Sequence, residues 1–208
     1  MTSNHTTVPL RLVLGGANSG KSLFAETLVR QSERPRRYIA TAQAWDDEMR
    51  AKIAAHQTQR GPDWTTVEAP LDLVSALLLA QPDEIVLLDC VTLWLTNLII
   101  AEQDISRASK SLCVALTQAT CPIVVVSNEV GQGITPDNAM ARAFVKHQGN
   151  LNQALAAAAL EVFFVTAGLP QQLKSTPCQI GIGSDTGPPT KKVLLAGAMC
   201  PRIFQTKA

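Results

Sequence analysis

The 208-residue chain has almost no net charge: 18 Lys and Arg against 17 Asp and Glu leave +1 at pH 7. That balance gives no electrostatic argument for nucleic acid or an acidic membrane surface, and no nucleic-acid partner is expected. The five cysteines (Cys90, Cys113, Cys121, Cys178 and Cys200) are odd in number and contain no C-x-x-C pair. They indicate neither a disulfide framework nor a zinc site. No apolar run reaches membrane-spanning length, so no membrane span is expected. Met1 to Pro9 is polar and lacks the charged-then-apolar pattern of a secretory leader. What is present, 46% hydrophobic and 17% charged residues, is a globular composition at a length suited to one α/β domain. A cytoplasmic location is expected.

Short apolar runs alternate with helical patterns. Leu10 to Leu14 reads as a buried strand, and Ser22 to Gln31 as a helix with Phe24, Ala25 and Leu28 on one side. Arg37 to Thr41 is a second short strand. Asp46 to Gln59 reads as a helix whose acidic first turn suits the helix dipole. Leu71 to Ala80 is a further helix. The runs Glu84 to Cys90 and Pro122 to Val130 are apolar on both faces and β-branched, as in a covered parallel sheet. Leu151 to Leu160 is an alanine-rich helix that leads into "EVFFVTAG", a last strand. Such alternation predicts a mostly parallel sheet with right-handed crossovers. There is no internal repeat. From Ser175 the chain is rich in Gly, Pro, Ser and Thr, which divides it into residues 1–174 and an extension, 175–208, of undecided structure.

The most informative stretch follows the first strand: Gly15-Gly16-Ala17-Asn18-Ser19-Gly20-Lys21-Ser22. Its G-x-x-x-x-G-K-S pattern, between a buried strand and a helix, is that of a phosphate-binding loop. Glycines let the backbone close around phosphate oxygens with successive N–H groups pointing inward. The helix N-terminus adds partial positive charge. Lys21 brings a full charge to the β- and γ-phosphates, and Ser22 offers a hydroxyl to Mg²⁺. Asp89, closing "IVLLDC", is placed as a second-strand acid for that metal, although an Asp at a strand end also serves as an ordinary cap.

Of the three histidines, His5 and His147 read as solvent-facing, in the N-terminus and in a polar loop. His56 continues the helical stripe of Met49 and Ile53, with Arg60 one turn on. A histidine there is either a packed edge residue or a nucleophile, since neutral imidazole, with an unperturbed pKa of about 6.5, is available to attack an α-phosphate. "SNEVGQGITP" leaves a strand at its carboxyl end, where α/β sheets place ligands. Asn128 and Glu129 there orient substrate or metal, or else belong to a packed turn. Arg142 and Asn152, further along, are assigned no catalytic role.

Taken together, "GGANSGKS", "YIATAQAWDDEMRAKIAAHQTQRGPDWTTVEAP", "VLLDCVTLWLTNL" and the segment from "VVVSNEVGQGITPD" to "FFVTAGLP" resemble a known family. It is the bifunctional adenosylcobinamide kinase / adenosylcobinamide-phosphate guanylyltransferase family of cobalamin biosynthesis. The resemblance covers roughly residues 10 to 174, and "SNEVGQGI" with "DDEM…H…R" is more specific than the loop alone.

The resemblance implies an α/β phosphate-loop NTPase-like fold, a mostly parallel central sheet flanked by helices, and a homotrimer. It implies that Gly15 to Ser22 bind triphosphate and that Ala40, Thr41 and Ala42 touch nucleotide. Many relatives have serine where this chain has Ala42, so that hydroxyl is missing. His56 matches the histidine that accepts GMP. Gln57, Thr58, Gln59 and Arg60 follow along the same site, and Glu68 and Asp89 match two further nucleotide-site acids. The implied substrates are ATP or GTP with Mg²⁺, adenosylcobinamide and its phosphate. The residues by themselves also admit a kinase of one activity, or a non-catalytic nucleotide-binding switch.

Overall fold

A computed structural model of the chain describes residues 9–43, 47, 50–51, 58 and 61–175. Seven strands follow in order: β1 (Leu10–Gly15), β2 (Arg36–Ala40), β3 (Trp64–Glu68), β4 (Ile85–Asp89), β5 (Ile123–Asn128), β6 (Glu161–Thr166) and β7 (Leu169–Lys174). Helices α1 (Lys21–Arg30), α2 (Leu73–Leu78), α3 (Val91–Ile100), α4 (Ile105–Gln118) and α5 (Ala139–Ala158) lie between them. The strands form one sheet in the order β3-β2-β4-β5-β1-β6-β7. Every pairing is parallel except β6 with β7. Contacts gather these elements into one compact unit, Met1–Thr176.

Strand alternation divides the core in two. Leu12, Leu14, Val86, Leu88, Ile123 and Val125 face one side and pack with Leu73, Trp94, Leu112, Leu151 and Leu155 from α2 to α5. Val13, Ile85, Leu87, Val124 and Val126 face the other side, onto Ala25 and Val29 of α1. Each buried Val, Leu or Ile among them contributes about 1.5–3 kcal/mol. The near-continuous apolar character of β4 and β5 therefore reflects cover on both faces. Side-chain caps start three helices: Asp72 accepts from Ser75 N at 3.0 Å, Asp104 from Arg107 N at 2.9 Å, and Asn138 from Ala141 N at 2.7 Å.

The structure departs from the sequence expectations in several places, among them β3, a strand that its pattern did not mark. "EVFFVTAG" is not the last strand, because Ala167 and Gly168 (φ +52° and +77°) make a two-residue turn into β7. Positive φ at both positions is the twist that suits a tight hairpin. The alanine-rich helix begins well before Leu151, at Ala139, where the Asn138 cap starts it. His147, read as a loop residue, consequently lies inside α5 and is half-buried. The stretch from Val91 to Gln118, given no element by its pattern, forms α3 and α4. Of the helix expected over Asp46 to Gln59, Asp47, Arg50, Ala51 and Thr58 are helical and the others lie outside the described residues.

Candidate active site

The carboxyl ends of six neighbouring strands meet in one row. Register pairs Ala40 with both Glu68 and Asp89, Asp89 with Val126, and Gly15 with both Asn128 and Val165. Ala40, Glu68, Asp89 and Gly15, drawn from separate parts of the sequence, thus lie along one sheet edge. The chain leaves β1 toward β2 on one side and later returns past β1 to β6 on the other. A reversal of strand order of this kind opens the crevice in which α/β sheets hold ligands.

The loop from Gly15 to Gly20 connects β1 to α1 at that crevice. A Cβ on Gly15 would lie 2.5 Å from Ser19 Oγ and 2.6 Å from the Val165 carbonyl, so no larger residue fits. Asn18 (φ +55°) and Gly20 (φ +89°) turn the chain into α1. Gly20 caps that helix without any side-chain hydrogen bond. The first N–H groups of α1 thus meet no capping side chain, as an anion site at a helix N-terminus needs. Lys21 is 9% exposed, and its ammonium donates to the Gly16 carbonyl at 3.0 Å, inside the loop it serves. Ser22 is half-buried in the first turn of α1, and Ala17 and Asn18 are exposed at the loop's tip.

Asp89 is half-buried at the end of β4, with the Tyr38 hydroxyl donating to its Oδ2 at 3.4 Å. The next residue, Cys90, reports the local field. Burial pushes its thiol up to about 11, the Asp89 carboxylate adds to the rise, and the Lys21 ammonium acts against it. The charges of Lys21 and Asp89 are thus both felt at Cys90. Thr41 is fully buried; its hydroxyl donates to the Cys90 carbonyl at 2.7 Å and accepts from Cys90 N at 3.0 Å. That side chain clamps β2 to β4. Asn97 extends the clamp, donating to the carbonyls of Thr41 (2.8 Å) and Pro70 (2.9 Å). Ala42 is half-buried beyond Thr41, Glu68 is exposed at the end of β3, and Thr58 is an exposed helical residue. His56, Gln57, Gln59 and Arg60 lie outside the described residues.

A buried polar network stands behind β5. Gln148, fully buried, donates to Ser127 Oγ (2.9 Å) and Asn152 Oδ1 (3.0 Å), and Ser127 Oγ donates to Asn152 Oδ1 at 2.6 Å. Asn152 Nδ2 in turn donates to the Asn128 carbonyl at 3.0 Å. Gln148 was not singled out by sequence reasoning. The available signal was two amides four residues apart on the core-facing stripe of a helix, beside Leu151 and Leu155. Arg142 holds the loop ahead of α5 through the carbonyls of Pro136 (2.9 Å) and Asp137 (2.6 Å). Glu129 Oε1 accepts from Gly131 N at 2.6 Å, which fixes the turn leaving β5.

A phosphate loop on the first strand, a helix beginning at its lysine and an acid at the end of a nearby parallel strand define a phosphate-loop NTPase-like protein. The family model described as cobinamide kinase / cobinamide phosphate guanyltransferase matches residues 11–173, and the chain belongs to that family. A bifunctional adenosylcobalamin biosynthesis protein, CobP, of Pseudomonas aeruginosa is 43% identical over 169 residues, covering 80% of this chain and 98% of its own. The Escherichia coli bifunctional adenosylcobalamin biosynthesis protein CobU is 42% identical over 181 residues, covering 78% of this chain and 98% of its own. Among solved structures, a Pyrococcus horikoshii protein superposes with a TM-score of 0.50 at 12% identity, covering 83% of this chain and 89% of its own, which speaks to fold alone. No helix among the described residues is long and apolar enough to cross a membrane.

Proposed function

We propose that the chain phosphorylates adenosylcobinamide with ATP or GTP. It then transfers GMP from GTP, through a His56–GMP intermediate, to adenosylcobinamide phosphate, giving adenosylcobinamide-GDP for cobalamin synthesis. The observation that carries this reading is the row of Gly15, Asp89, Ala40 and Glu68 at one sheet edge, with Lys21 inside the loop, in a chain of this family.

In the first step the loop amides and the N-terminus of α1 bind the triphosphate, and Lys21 stabilises charge on the transferring group. Such chemistry is mostly positioning and electrostatics. The donor set of one half-buried carboxylate and one hydroxyl beside a triphosphate suits Mg²⁺, which takes few protein ligands. Ser22 and Asp89 would hold it, and it would supply neutralisation of the β- and γ-phosphate oxygens. In the second step the His56 imidazole attacks the α-phosphorus of GTP and pyrophosphate leaves. The phosphate of adenosylcobinamide phosphate then displaces the imidazole, which is a good leaving group once protonated. Ala40, Thr41, Ala42, Gln57, Thr58, Gln59, Arg60 and Glu68 form the surrounding nucleotide site in this reading, Thr41 through its clamp on β4.

The same reading places residues 1–174 as the catalytic unit and 175–208 as an extension outside it. The working form is a cytoplasmic homotrimer that takes no nucleic acid. Product analysis tests the function. Incubation with adenosylcobinamide and GTP should yield adenosylcobinamide phosphate and then adenosylcobinamide-GDP. Phosphorylation alone would mark a single-activity kinase, and nucleotide binding without turnover a switch.

A further inference from the structure

Two buried polar atoms around the crevice have no hydrogen-bond partner among the described residues: Ser19 Oγ in the phosphate loop, and Asn128 Oδ1 at the end of β5, which is buried although the residue as a whole is only half-buried. Buried carbonyl oxygens almost always meet a donor, so an unmet one next to a ligand crevice points to a donor on the ligand. The side chain is aimed by its own backbone. Asn128 N donates to Thr92 Oγ1 at 2.8 Å, and its carbonyl accepts from Asn152 Nδ2 at 3.0 Å. Asn152 is held in turn by the buried Ser127 and Gln148.

Alternation along β5 puts Asn128 on the face of Val124 and Val126, the face covered by α1. Asn128 is the register partner of Gly15, and Glu129 N donates to the Gly15 carbonyl at 3.0 Å. β5 itself lies between the strand that carries the phosphate loop and the strand that ends in Asp89. Asn128 therefore stands between the triphosphate cradle and the acid.

Phosphate oxygens at neutral pH accept hydrogen bonds and do not donate them, so the γ-phosphate cannot satisfy Oδ1. The acceptor alcohol can. We propose that Asn128 Oδ1 takes the hydrogen bond of the acceptor hydroxyl in the phosphoryl-transfer step and points its oxygen at the γ-phosphorus. This rests on the kinase reading above. In the step the alcohol oxygen forms a bond to the γ-phosphorus, and the bond from γ-phosphorus to the β,γ-bridging oxygen breaks, its electron pair leaving with the nucleoside diphosphate. The hydroxyl proton passes to solvent. A carboxamide is too weak a base to take it, so Asn128 orients the hydroxyl and nothing more.

The test uses the full chain and three variants, Asn128→Ala, Asn128→Leu (the same volume without an acceptor) and Asn128→Asp (which keeps one). Phosphorylation of adenosylcobinamide is compared with hydrolysis of the same nucleotide in the absence of alcohol. Loss of the acceptor should lower kcat for transfer by about a hundredfold, the scale of a misplaced reacting group. Hydrolysis and the nucleotide KM should stay within about threefold, because uniform nucleotide binding is untouched. Asn128→Asp should recover most of the transfer rate. The thermal midpoint of Asn128→Leu should not fall, since an unpaired oxygen has been removed; if Asn128→Ala does not fold, the Leu and Asp variants decide. Transfer and hydrolysis falling together, or transfer unchanged, would overturn the assignment. A wild-type chain that hydrolyses nucleotide but never phosphorylates adenosylcobinamide would overturn the kinase reading itself.

Discussion

Gly168 donates its backbone N–H to the Ser19 carbonyl at 2.8 Å, tying the β6–β7 turn to the phosphate loop. The approach is close: a Cβ on Gly20 would lie 3.1 Å from Gly168 Cα. Gly20 also sits at φ +89°, where an L side chain costs about 1–2 kcal/mol. Gly20→Ala should therefore lose about that much stability and weaken nucleotide binding as the loop shifts off the turn. Thermal unfolding and nucleotide titration check both, and an unchanged pair of values would mean that the turn does not brace the loop.

The hairpin also shows where sequence reading stops. The strands β1, β4 and β5 are legible because they are buried on both faces, and β6 because its Val and Phe residues are apolar on both faces although only Val162 and Val165 are fully covered. Strand β7, "LPQQLK", is exposed along its whole length and is held by pairing to β6, which leaves no apolar pattern. Strand β3 is an edge strand, exposed at Thr65, Thr66 and Glu68. Helix α3 buries Val91, Thr92, Trp94, Leu95, Asn97 and Leu98, too much of its circumference to leave a clear stripe. Within the site, the loop and Asp89 were readable from local pattern. Thr92 and Gln148 were not, because their roles depend on a strand distant in sequence.

Lys21→Ala removes the cation from the triphosphate. Turnover in the phosphorylation step should fall by about a hundredfold or more, the scale of a lost electrostatic stabiliser. The fold should persist, because the lysine's ammonium donates to a carbonyl of the loop at the edge of the sheet. Steady-state kinetics on a variant of normal thermal midpoint checks this, and wild-type turnover would refute the loop's role.

Arg37 and Glu84 form a two-pronged pair at 2.8 and 3.0 Å, with side chains 11% and 10% exposed. Burial alone would raise the Glu84 carboxyl, but hydrogen bonds from Arg37 and Gln81 N, with the Arg37 charge, hold it below the ordinary 4.5. A depressed carboxyl stabilises the fold above its unfolded-state value and loses that contribution as pH falls through the folded one. Glu84→Gln should cost about 3 kcal/mol at neutral pH, the scale of a broken buried pair. The gap from wild type should begin to narrow below about pH 4.5, where the unfolded wild type takes up the proton, and close only below the lower folded value, where the folded state takes it up too. Denaturant melts at pH 7 and pH 4 measure it; a gap independent of pH would mean that packing, and not charge, accounts for the loss.

Lys174 at the end of β7 donates to the carbonyls of Ala156 (3.0 Å) and Ala157 (3.1 Å), so a chain ending there keeps its last described anchor. Truncation after Lys174 should leave both activities within about threefold, as expected when a polar, linker-like segment is removed. Insolubility or loss of both activities would place the catalytic boundary beyond residue 174.

The central claim is that one chain runs two chemistries with separable groups, and His56→Ala tests it most directly. Phosphorylation requires the loop and Lys21, neither of which needs an imidazole, so it should stay within about tenfold, or 1.4 kcal/mol. Incubation of the wild type with α-labelled GTP should give an acid-labile, base-stable label on the protein and then labelled adenosylcobinamide-GDP. The folded variant should give neither. Equal loss of both rates, or GMP still bound covalently to the variant, would contradict the account.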